Sequence, residues 1–175
     1  MLLLAHPFLL RYSALVRMSV TKRILGIDPG FDRTGLGVID VAGGKMVWVY
    51  HGCIQTKSTD SFAFRLQQTR DGIKQVLNHF KPDSAIIEQL FFQNNAKSAM
   101  SVGMARGVAI LTLADANVMT FELTPNQVKQ GITGYGAADK KQIQQMVQRL
   151  LNLKEIPTPD DAADALALAI VGSSM

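Results

Sequence analysis

The chain has 175 residues, of which 47% are hydrophobic and 18% charged, and its formal net charge at pH 7 is +4. This composition fits one globular domain with a sizeable core, and no apolar run approaches the roughly 18 residues of a membrane span. The single cysteine, Cys53, excludes an internal disulfide and is expected to be a small buried hydrophobic residue rather than a nucleophile. We therefore expect a cytoplasmic protein with no membrane partner.

Residues 1–20 are expected to lie outside the folded domain. The first ten residues are mostly apolar, but Pro7 interrupts them, and neither a basic segment nor a clear cleavage site marks a signal peptide. Met18 offers an alternative start just before the first predicted strand. The sequence thus predicts an extra leader over residues 1–20, disordered or not native, and a single domain over residues 21–175.

The periodicity predicts three strands in succession, at residues 24–28, 35–41 and 46–55. Asp28-Pro29-Gly30 joins the first two strands, and Gly43-Gly44 is a hairpin signal between the second and third. A helix over residues 61–80 follows, and then a strand over residues 85–88. Apolar residues at helical spacing predict the buried face of that helix: Phe62, Leu66, Ile73, Val76, Leu77 and Phe80.

The second half of the chain predicts a long helix over residues 97–116 and a fifth strand over residues 118–123. A short helix near Gln127, a glycine-rich loop over residues 131–136, a helix from about 139 to 153 and a last helix from Asp160 complete the chain. This order describes an α/β protein in which a five-stranded mixed sheet is flanked by helices on both faces. Ligands of such sheets bind where the strand connections diverge.

Four carboxylates stand at the ends of these predicted elements. Asp28 ends the first strand and Glu88 ends the fourth, while Asp161 and Asp164 are three residues apart and share one face of the last helix. Right-handed crossovers favour the first and fourth strands as neighbours. Carboxylates flanked by apolar residues are costly unless a cation joins them. We therefore expect the four side chains to converge on one site.

Each carboxylate also has a purely structural interpretation. Asp28 could form the turn before Pro29, Glu88 could be a solvated charge at the sheet edge, and Asp161 could cap the last helix, although Asp160 is available for capping. Asp164 has the weakest structural explanation, because it lies one turn inside an apolar helix. The common location of all four favours the functional interpretation.

The chemistry of such a cluster predicts a metal-ion nuclease. Carboxylates without cysteine or histidine partners favour Mg²⁺ or Mn²⁺, which also relieve their mutual repulsion. Two such ions about 3.5 to 4 Å apart can hydrolyse a phosphodiester by activating water and stabilising the leaving oxygen. No covalent nucleophile is then required.

An ordered set of motifs resembles the RuvC family of Holliday-junction resolvases over about residues 23–170. A lone Gly-Ile-Asp-x-Gly also occurs in actin-like ATPases and sugar kinases, but the whole set is specific. The motifs are Ile24-Leu25-Gly26-Ile27-Asp28-Pro29-Gly30, Ile87-Glu88-Gln89-Leu90-Phe91, Ala105-Arg106-Gly107, Gln127-Val128-Lys129-Gln130 and Asp161-Ala162-Ala163-Asp164.

The resemblance implies a ribonuclease-H-like nuclease domain that acts as a homodimer in recombination and DNA repair. Such a protein cuts two strands of a four-way DNA junction symmetrically. The resemblance also implies that Asp28, Glu88, Asp161 and Asp164 are the catalytic residues and bind two Mg²⁺ ions, for which Mn²⁺ is expected to substitute. The branch-migration proteins RuvA and RuvB are the implied partners.

Five further residues are predicted to contact DNA. Residues 123–154 hold five basic residues against one acidic residue, Asp139, and so form a basic segment. Lys129 and Lys140 match family positions near the scissile strand, whereas Arg149 and Lys154 fit a solvated helix face. Phe91 is expected to stack on an unpaired base at the junction centre. The complete set of predicted DNA contacts is Phe91, Arg106, Lys129, Lys140 and Lys141.

Two other functions remain open at this point. An actin-like ATP-binding module would need a second half-domain, for which the chain has no room. A catalytically idle junction-binding protein would not need the four carboxylates. The helix over residues 97–116, with Gly103 and Gly107 one turn apart, is the predicted dimer interface.

Overall fold

The computed structural model describes residues 21–89 and 96–175, so the predicted leader and Phe91 lie outside the described residues. In chain order, the elements of the described part are β1 (Lys22–Asp28), β2 (Arg33–Ala42), β3 (Lys45–Gln55), α1 (Phe62–Phe80), β4 (Ser84–Glu88), α2 (Ala96–Asp115), β5 (Met119–Leu123), α3 (Pro125–Thr133), α4 (Lys140–Leu150) and α5 (Asp160–Gly172). None of these helices is both long and apolar enough to cross a membrane.

The five strands form one mixed sheet in the order β3-β2-β1-β4-β5. Strands β1, β2 and β3 pair antiparallel, whereas β4 runs parallel to β1 and β5 runs parallel to β4. The crossover places β4, which comes fourth in the chain, beside β1. The predicted mixed sheet and the predicted neighbourhood of the first and fourth strands are therefore confirmed.

The sheet separates two apolar clusters, so helices cover both of its faces as predicted. Along β1, Ile24 packs in the cluster that contains α3, α4 and α5, whereas Leu25 and Ile27 pack in the cluster that contains α1 and α2. This alternation follows from the pleat, since successive side chains of a strand point to opposite faces.

Helix α5 lies directly on β1 and β2 because glycines leave room for its backbone. A Cβ atom at Gly26 would stand 1.9 Å from the carbonyl oxygen of Ala165, and one at Gly35 would stand 1.9 Å from that of Asp161. Gly37, which pairs with Gly26 across the two strands, faces Leu166 in the same way. These glycines set the distance between the sheet and α5, the helix that carries two of the predicted catalytic carboxylates.

The predicted glycine-rich loop over residues 131–136 is wrong in its first half. Helix α3 begins with a capping box between Thr124 and Gln127 and continues to Thr133, and Gly134 ends it with a φ of 71°. Gly131 lies inside the helix, where a Cβ atom would come within 2.7 Å of the Val171 side chain. This glycine therefore allows close packing of α3 on α5 and does not form a turn.

The predicted buried face of α1 is also wrong at its start. Phe62 is 42% exposed, whereas Arg65 and Thr69 are buried. The reason lies in the loop between β1 and β2, because the Phe62 ring stacks on Phe31 of that loop at 4.6 Å between centroids. The first turn of α1 thus packs on a loop, and the buried apolar residues of the helix begin only at Ile73.

Candidate active site

Two of the predicted catalytic carboxylates lie side by side at the carboxyl ends of β1 and β4. The parallel pairing of Ile27 with Ile87 makes Asp28 and Glu88 the next residues in register. Ile86 belongs to the cluster on the α5 side of the sheet and Ile87 to the opposite one, so Glu88 follows on the α5 side. The same alternation places Asp28 there.

The amino-terminal end of α5 brings Asp161 and Asp164 to the same edge of the sheet. Pro159 is the N-cap and makes no side-chain capping bond, so neither Asp161 nor Asp160 caps the helix, and the structural alternative for Asp161 is wrong. Instead, Asp160 forms ion pairs with Lys140 at 2.7 Å and with Arg33 at 3.4 Å. Acidic residues in this first turn are still favoured by the helix dipole.

A cavity of about 240 Å³ opens between β1, β4, α3, α4 and α5. Its polar side holds the carboxylates of Asp28, Glu88 and Asp164 together with Lys129 and Lys140. The remaining wall is mainly apolar and consists of Pro125, Val128, Ala138, Asp139, Ile143 and Leu168. Asp161 does not line this cavity, so the structure gathers three of the four predicted carboxylates in it.

The carboxylates in the cavity hold their protons more tightly than free carboxylates do. Burial, with the charges of Glu88, Asp164 and Asp161, raises the pKa of Asp28 to about 8. Burial and Asp164 raise the pKa of Glu88, and burial also raises the pKa of Asp164 although Lys140 opposes it. The negative charge of the site therefore exceeds what its lysines compensate, and a bound cation would relieve this excess.

Lys140, predicted to contact DNA, contacts carboxylates in this structure. Its Nζ lies 2.7 Å from Asp160 and 3.0 Å from Asp164. Burial opposes the charge on Lys140, but hydrogen bonds to the two carboxylates outweigh burial and raise its pKa. Lys140 and the exposed Lys141 begin α4, where the helix dipole disfavours cations. The two carboxylates therefore compensate Lys140 for this unfavourable position.

Arg33, which the sequence reasoning missed, holds Asp161. Its Nη2 lies 2.7 Å from Oδ2 of Asp161, and the Cys53 thiol lies 4.0 Å from the same oxygen. Cys53 is half-buried beside this pair and not fully buried as expected, and burial raises the pKa of its thiol, which agrees with the expectation that it is not a nucleophile. The available signal was the position of Arg33, a basic residue that opens β2 five residues after Asp28.

Arg106, also predicted to contact DNA, connects three elements next to Glu88. Its Nε donates to the backbone carbonyl of Glu88 at 3.1 Å, and its Nη2 lies 2.7 Å from Glu122 on β5. The side chain is only 19% exposed. In this structure Arg106 fixes the end of β4, and its contact with DNA stays a prediction.

Arg65, a second residue that the sequence reasoning missed, anchors the loop that follows Asp28. Its guanidinium donates to the Thr56 hydroxyl at 2.8 Å and to the Phe31 carbonyl at 3.3 Å, and it pairs with Asp32. The same group stacks on the Phe31 ring at 3.8 Å from the centroid. A buried arginine on one face of α1 therefore holds the backbone next to a predicted metal ligand.

The donor set fits hard divalent cations. All four candidate ligands are carboxylates; in the cavity, burial and then the charges of Glu88 and Asp164 raise the pKa of Asp28, and burial and then Asp164 raise that of Glu88. Within residues 21–89 and 96–175, no three acidic, histidine or cysteine side chains are already arranged around a common metal position. Asp161 and Asp164 instead contact Arg33 and Lys140, so a cation bound by all four carboxylates would replace these basic partners.

The mixed sheet, its helices and the acidic cluster at the ends of β1 and β4 define a nuclease of the ribonuclease-H-like class. The family model for the crossover junction endodeoxyribonuclease RuvC matches residues 24–172. The chain belongs to the RuvC family of crossover junction endodeoxyribonucleases, which are divalent-metal-dependent nucleases. This membership confirms the predicted fold and the predicted function in Holliday-junction resolution.

Individual relatives agree with this assignment. The RuvC endonuclease of Thermotoga maritima is 50% identical over 147 residues, which cover 84% of this chain and 88% of that protein. RuvC of Alkaliphilus oremlandii is also 50% identical over 147 residues, which cover 84% of this chain and 90% of that protein. A structure of Thermus thermophilus RuvC in complex with Holliday junction substrate superimposes with a TM-score of 0.83 at 33% identity, covering 87% of this chain and 93% of that one.

Proposed function

We propose that this chain resolves four-way DNA junctions by paired symmetric nicks, using Asp28, Glu88, Asp161 and Asp164 as its catalytic carboxylates. The observation that carries the proposal is the cavity that joins Asp28, Glu88 and Asp164 to Lys129 and Lys140. Acidic and basic groups at one opening suit a metal ion and a phosphate together. The Holliday junction bound to the Thermus thermophilus relative supports the substrate. A location in the cytoplasm suits a DNA substrate and stays a prediction.

The four carboxylates are the proposed ligands of two Mg²⁺ ions, with Mn²⁺ as a substitute. When bound, such ions supply an activated water and stabilise the leaving oxygen of the phosphodiester. The residues of the chain provide the oxygen ligands on rigid elements, two at strand ends and two on one helix face. The lysines hold the phosphate group at the opening, and the apolar wall of Val128, Ile143 and Leu168 excludes water from the opposite side.

Cleavage of a synthetic four-way junction tests the function directly. We expect the purified full chain to nick two opposing strands at symmetric positions in Mg²⁺ or Mn²⁺, and to stop when a chelator removes the metal. A linear duplex of the same sequence is the matched substrate control. Junction binding without cleavage in either metal would instead indicate a catalytically idle junction-binding protein. Equal cleavage of duplex and junction would contradict selectivity for DNA structure.

The lysines around the cavity are proposed phosphate contacts, together with Lys141 and Arg106. Each contact with a phosphate releases about one counterion, so Lys129→Ala and Lys140→Ala are each expected to reduce the slope of log affinity against log salt by up to about 1. The binding can be measured in a chelator, where cleavage does not occur.

Lys74→Ala is the control for this measurement, since Lys74 is an exposed residue of α1 on the opposite face of the sheet. It should leave the salt slope unchanged. If Lys129→Ala and Lys140→Ala behave like Lys74→Ala, neither lysine contacts phosphate. Phe91, which lies outside the described residues, is still proposed to stack on an unpaired base.

Two coordinated nicks require two sites, so we propose an isologous dimer through one face of α2. Ala105, Ala109 and Leu113 bury the opposite face of this helix. The proposed interface carries Met100, Met104 and Leu111, which are 65%, 45% and 62% exposed. Among residues 21–89 and 96–175, a Cβ atom at Gly103 or Gly107 would meet nothing within 4 Å, so this part of the chain leaves the backbone between the apolar side chains uncovered. RuvA and RuvB remain proposed partners of the dimer.

Met104→Glu is expected to convert the proposed dimer into a monomer. A buried, unpaired carboxylate at a two-fold interface is repeated in both copies, and each copy costs several kcal/mol. Sedimentation at micromolar concentration measures the change. Val47→Glu is the control, because it also replaces an exposed apolar residue by glutamate. Val47 lies on the edge strand β3, at the opposite end of the sheet from β5, and this variant should remain dimeric. A dimeric Met104→Glu variant would exclude this face of α2.

A further inference from the structure

Asp161 is the one predicted metal ligand that does not line the cavity, and it pairs with Arg33. Arg33 lies at the start of β2 and Asp161 in the first turn of α5, so the pair connects the sheet to the catalytic helix. The distance between Nη2 and Oδ2 is 2.7 Å, which is that of a charge-assisted hydrogen bond. The Cys53 thiol lies 4.0 Å from the same oxygen.

Arg33 has few other partners, so its position depends on the acidic end of α5. The second contact of its Nη2 is Asp160 at 3.4 Å. Its Nε is buried and has no hydrogen-bond partner in the described part of the chain. A buried donor without a partner is unfavourable. The guanidinium is therefore held by the two aspartates with the Cys53 thiol beside it, and a change in the charge of Asp161 would act on it directly.

A divalent cation and Arg33 need the same carboxylate. Both are cations that would contact the small carboxylate of Asp161, and its Oδ2 already pairs with Arg33. Lys140 stands in a similar relation to Asp164, but it is also a cavity residue and a proposed phosphate contact. Arg33 does not line the cavity, so its effect on the metal can be separated from an effect on DNA.

We propose that Arg33 is a positioning residue that competes with the divalent cation for Asp161 and so weakens metal binding in the absence of DNA. This inference rests on the proposed role of the four carboxylates. Asp161 then exchanges between two partners, Arg33 in the metal-free protein and the cation in the loaded one. The carboxylate is kept ordered in both states, because it always has a counter-ion.

Metal binding by the metal-free full chain tests the competition without any measurement of cleavage. Titration with Mn²⁺, followed by the electron paramagnetic resonance signal of free Mn²⁺, gives the affinity. Removal of one positive charge within a few ångströms of a divalent ion is expected to tighten binding about three- to tenfold at a partly exposed site. Arg33→Gln should show this gain, as should Arg33→Met, a second neutral variant in case the amide disturbs folding.

Two variants separate the role of this charge from general effects. Arg33→Lys keeps the charge and should bind Mn²⁺ with nearly the wild-type affinity. Arg70→Gln removes an arginine that pairs with Asp71 on α1 at 2.8 Å, a comparable ion pair away from the cavity. It should leave Mn²⁺ affinity unchanged. Thermal unfolding of each metal-free variant establishes that it is folded at the temperature of the titration.

The double variant Arg33→Gln/Asp161→Asn decides whether Arg33 acts through Asp161. We expect the gain from Arg33→Gln to fall below about twofold when Asp161 is an amide, because the competition no longer exists. An equal gain in Mn²⁺ affinity with Asp161 and with its amide would mean that Arg33 only repels the ion at long range, and this would overturn the proposal. Unchanged or weaker Mn²⁺ binding in both Arg33→Gln and Arg33→Met would also overturn it. If Asp28→Asn and Asp161→Asn leave Mn²⁺ binding unaltered, the four-carboxylate site itself is wrong.

Discussion

Asp28→Asn is expected to abolish junction cleavage and, in the metal-free protein, to raise the melting temperature above neutral pH. The amide keeps the shape of the side chain but removes the charge that a metal ion needs. Junction binding should remain largely intact, since basic side chains and not the carboxylates attract the DNA. A loss of cleavage of about 1,000-fold or more is expected, because a ligand at the centre of the site is lost.

The gain in stability follows from the raised pKa of Asp28. The folded-state pKa is about 8, well above the ordinary value near 4 that the unfolded chain shows. The folded state thus binds the proton more tightly, so the contribution of this group to stability is fully present below about pH 4 and is lost as the pH rises through about 8. The asparagine variant does not titrate, so it escapes this loss.

Thermal unfolding in a chelator at about pH 8.5 should show a melting temperature about 5 °C or more above wild type, and the difference should shrink towards pH 4. Added Mg²⁺ should make the melting temperature of the wild type the higher of the two, since the ion binds the wild-type site more tightly than that of Asp28→Asn. Asp71→Asn is the matched control at an exposed ion pair on α1 and should show neither effect. A melting temperature that does not depend on pH in this way would mean that Asp28 is not buried among like charges.

Gly35→Ala is expected to cause the largest loss of stability among single-methyl changes at the site. The added Cβ atom would stand 1.9 Å from the backbone carbonyl oxygen of Asp161 and 3.1 Å from the Cβ atom of the same residue. Neither group is the end of a flexible side chain, so β2 and α5 must separate. We expect a loss of about 3 kcal/mol or more, which lowers the melting temperature by about 6 to 12 °C.

Cleavage by Gly35→Ala should fall as well, because the end of α5 that carries Asp161 moves away from β1. Metal-dependent cleavage measured well below the melting temperature separates this displacement from simple unfolding. Gly136→Ala is the control, since its nearest neighbour would be the Gln130 side chain at an ordinary 3.6 Å. Wild-type stability and cleavage in Gly35→Ala would show that α5 does not rest on β2 as described.

The local pattern of the sequence was sufficient for the sheet and for the location of the carboxylates. Short continuous apolar runs identified β1 and β4, and a carboxylate that ends each strand lies at a sheet edge whatever else the fold does. The spacing of Asp161 and Asp164 placed them on one helix face for the same reason. These inferences needed only the periods of strand and helix and the rule for right-handed crossovers.

The partners of those carboxylates were decided by the tertiary structure. Arg33 and Asp161 are far apart in the sequence, and nothing in the pattern around either residue indicates that α5 rests on a glycine surface of β1 and β2. The burial of Arg65 in place of Phe62, and the use of Gly131 for packing, have the same origin. Periodicity reports which face of an element is apolar, but ion pairs and close backbone contacts depend on which elements meet and at what distance.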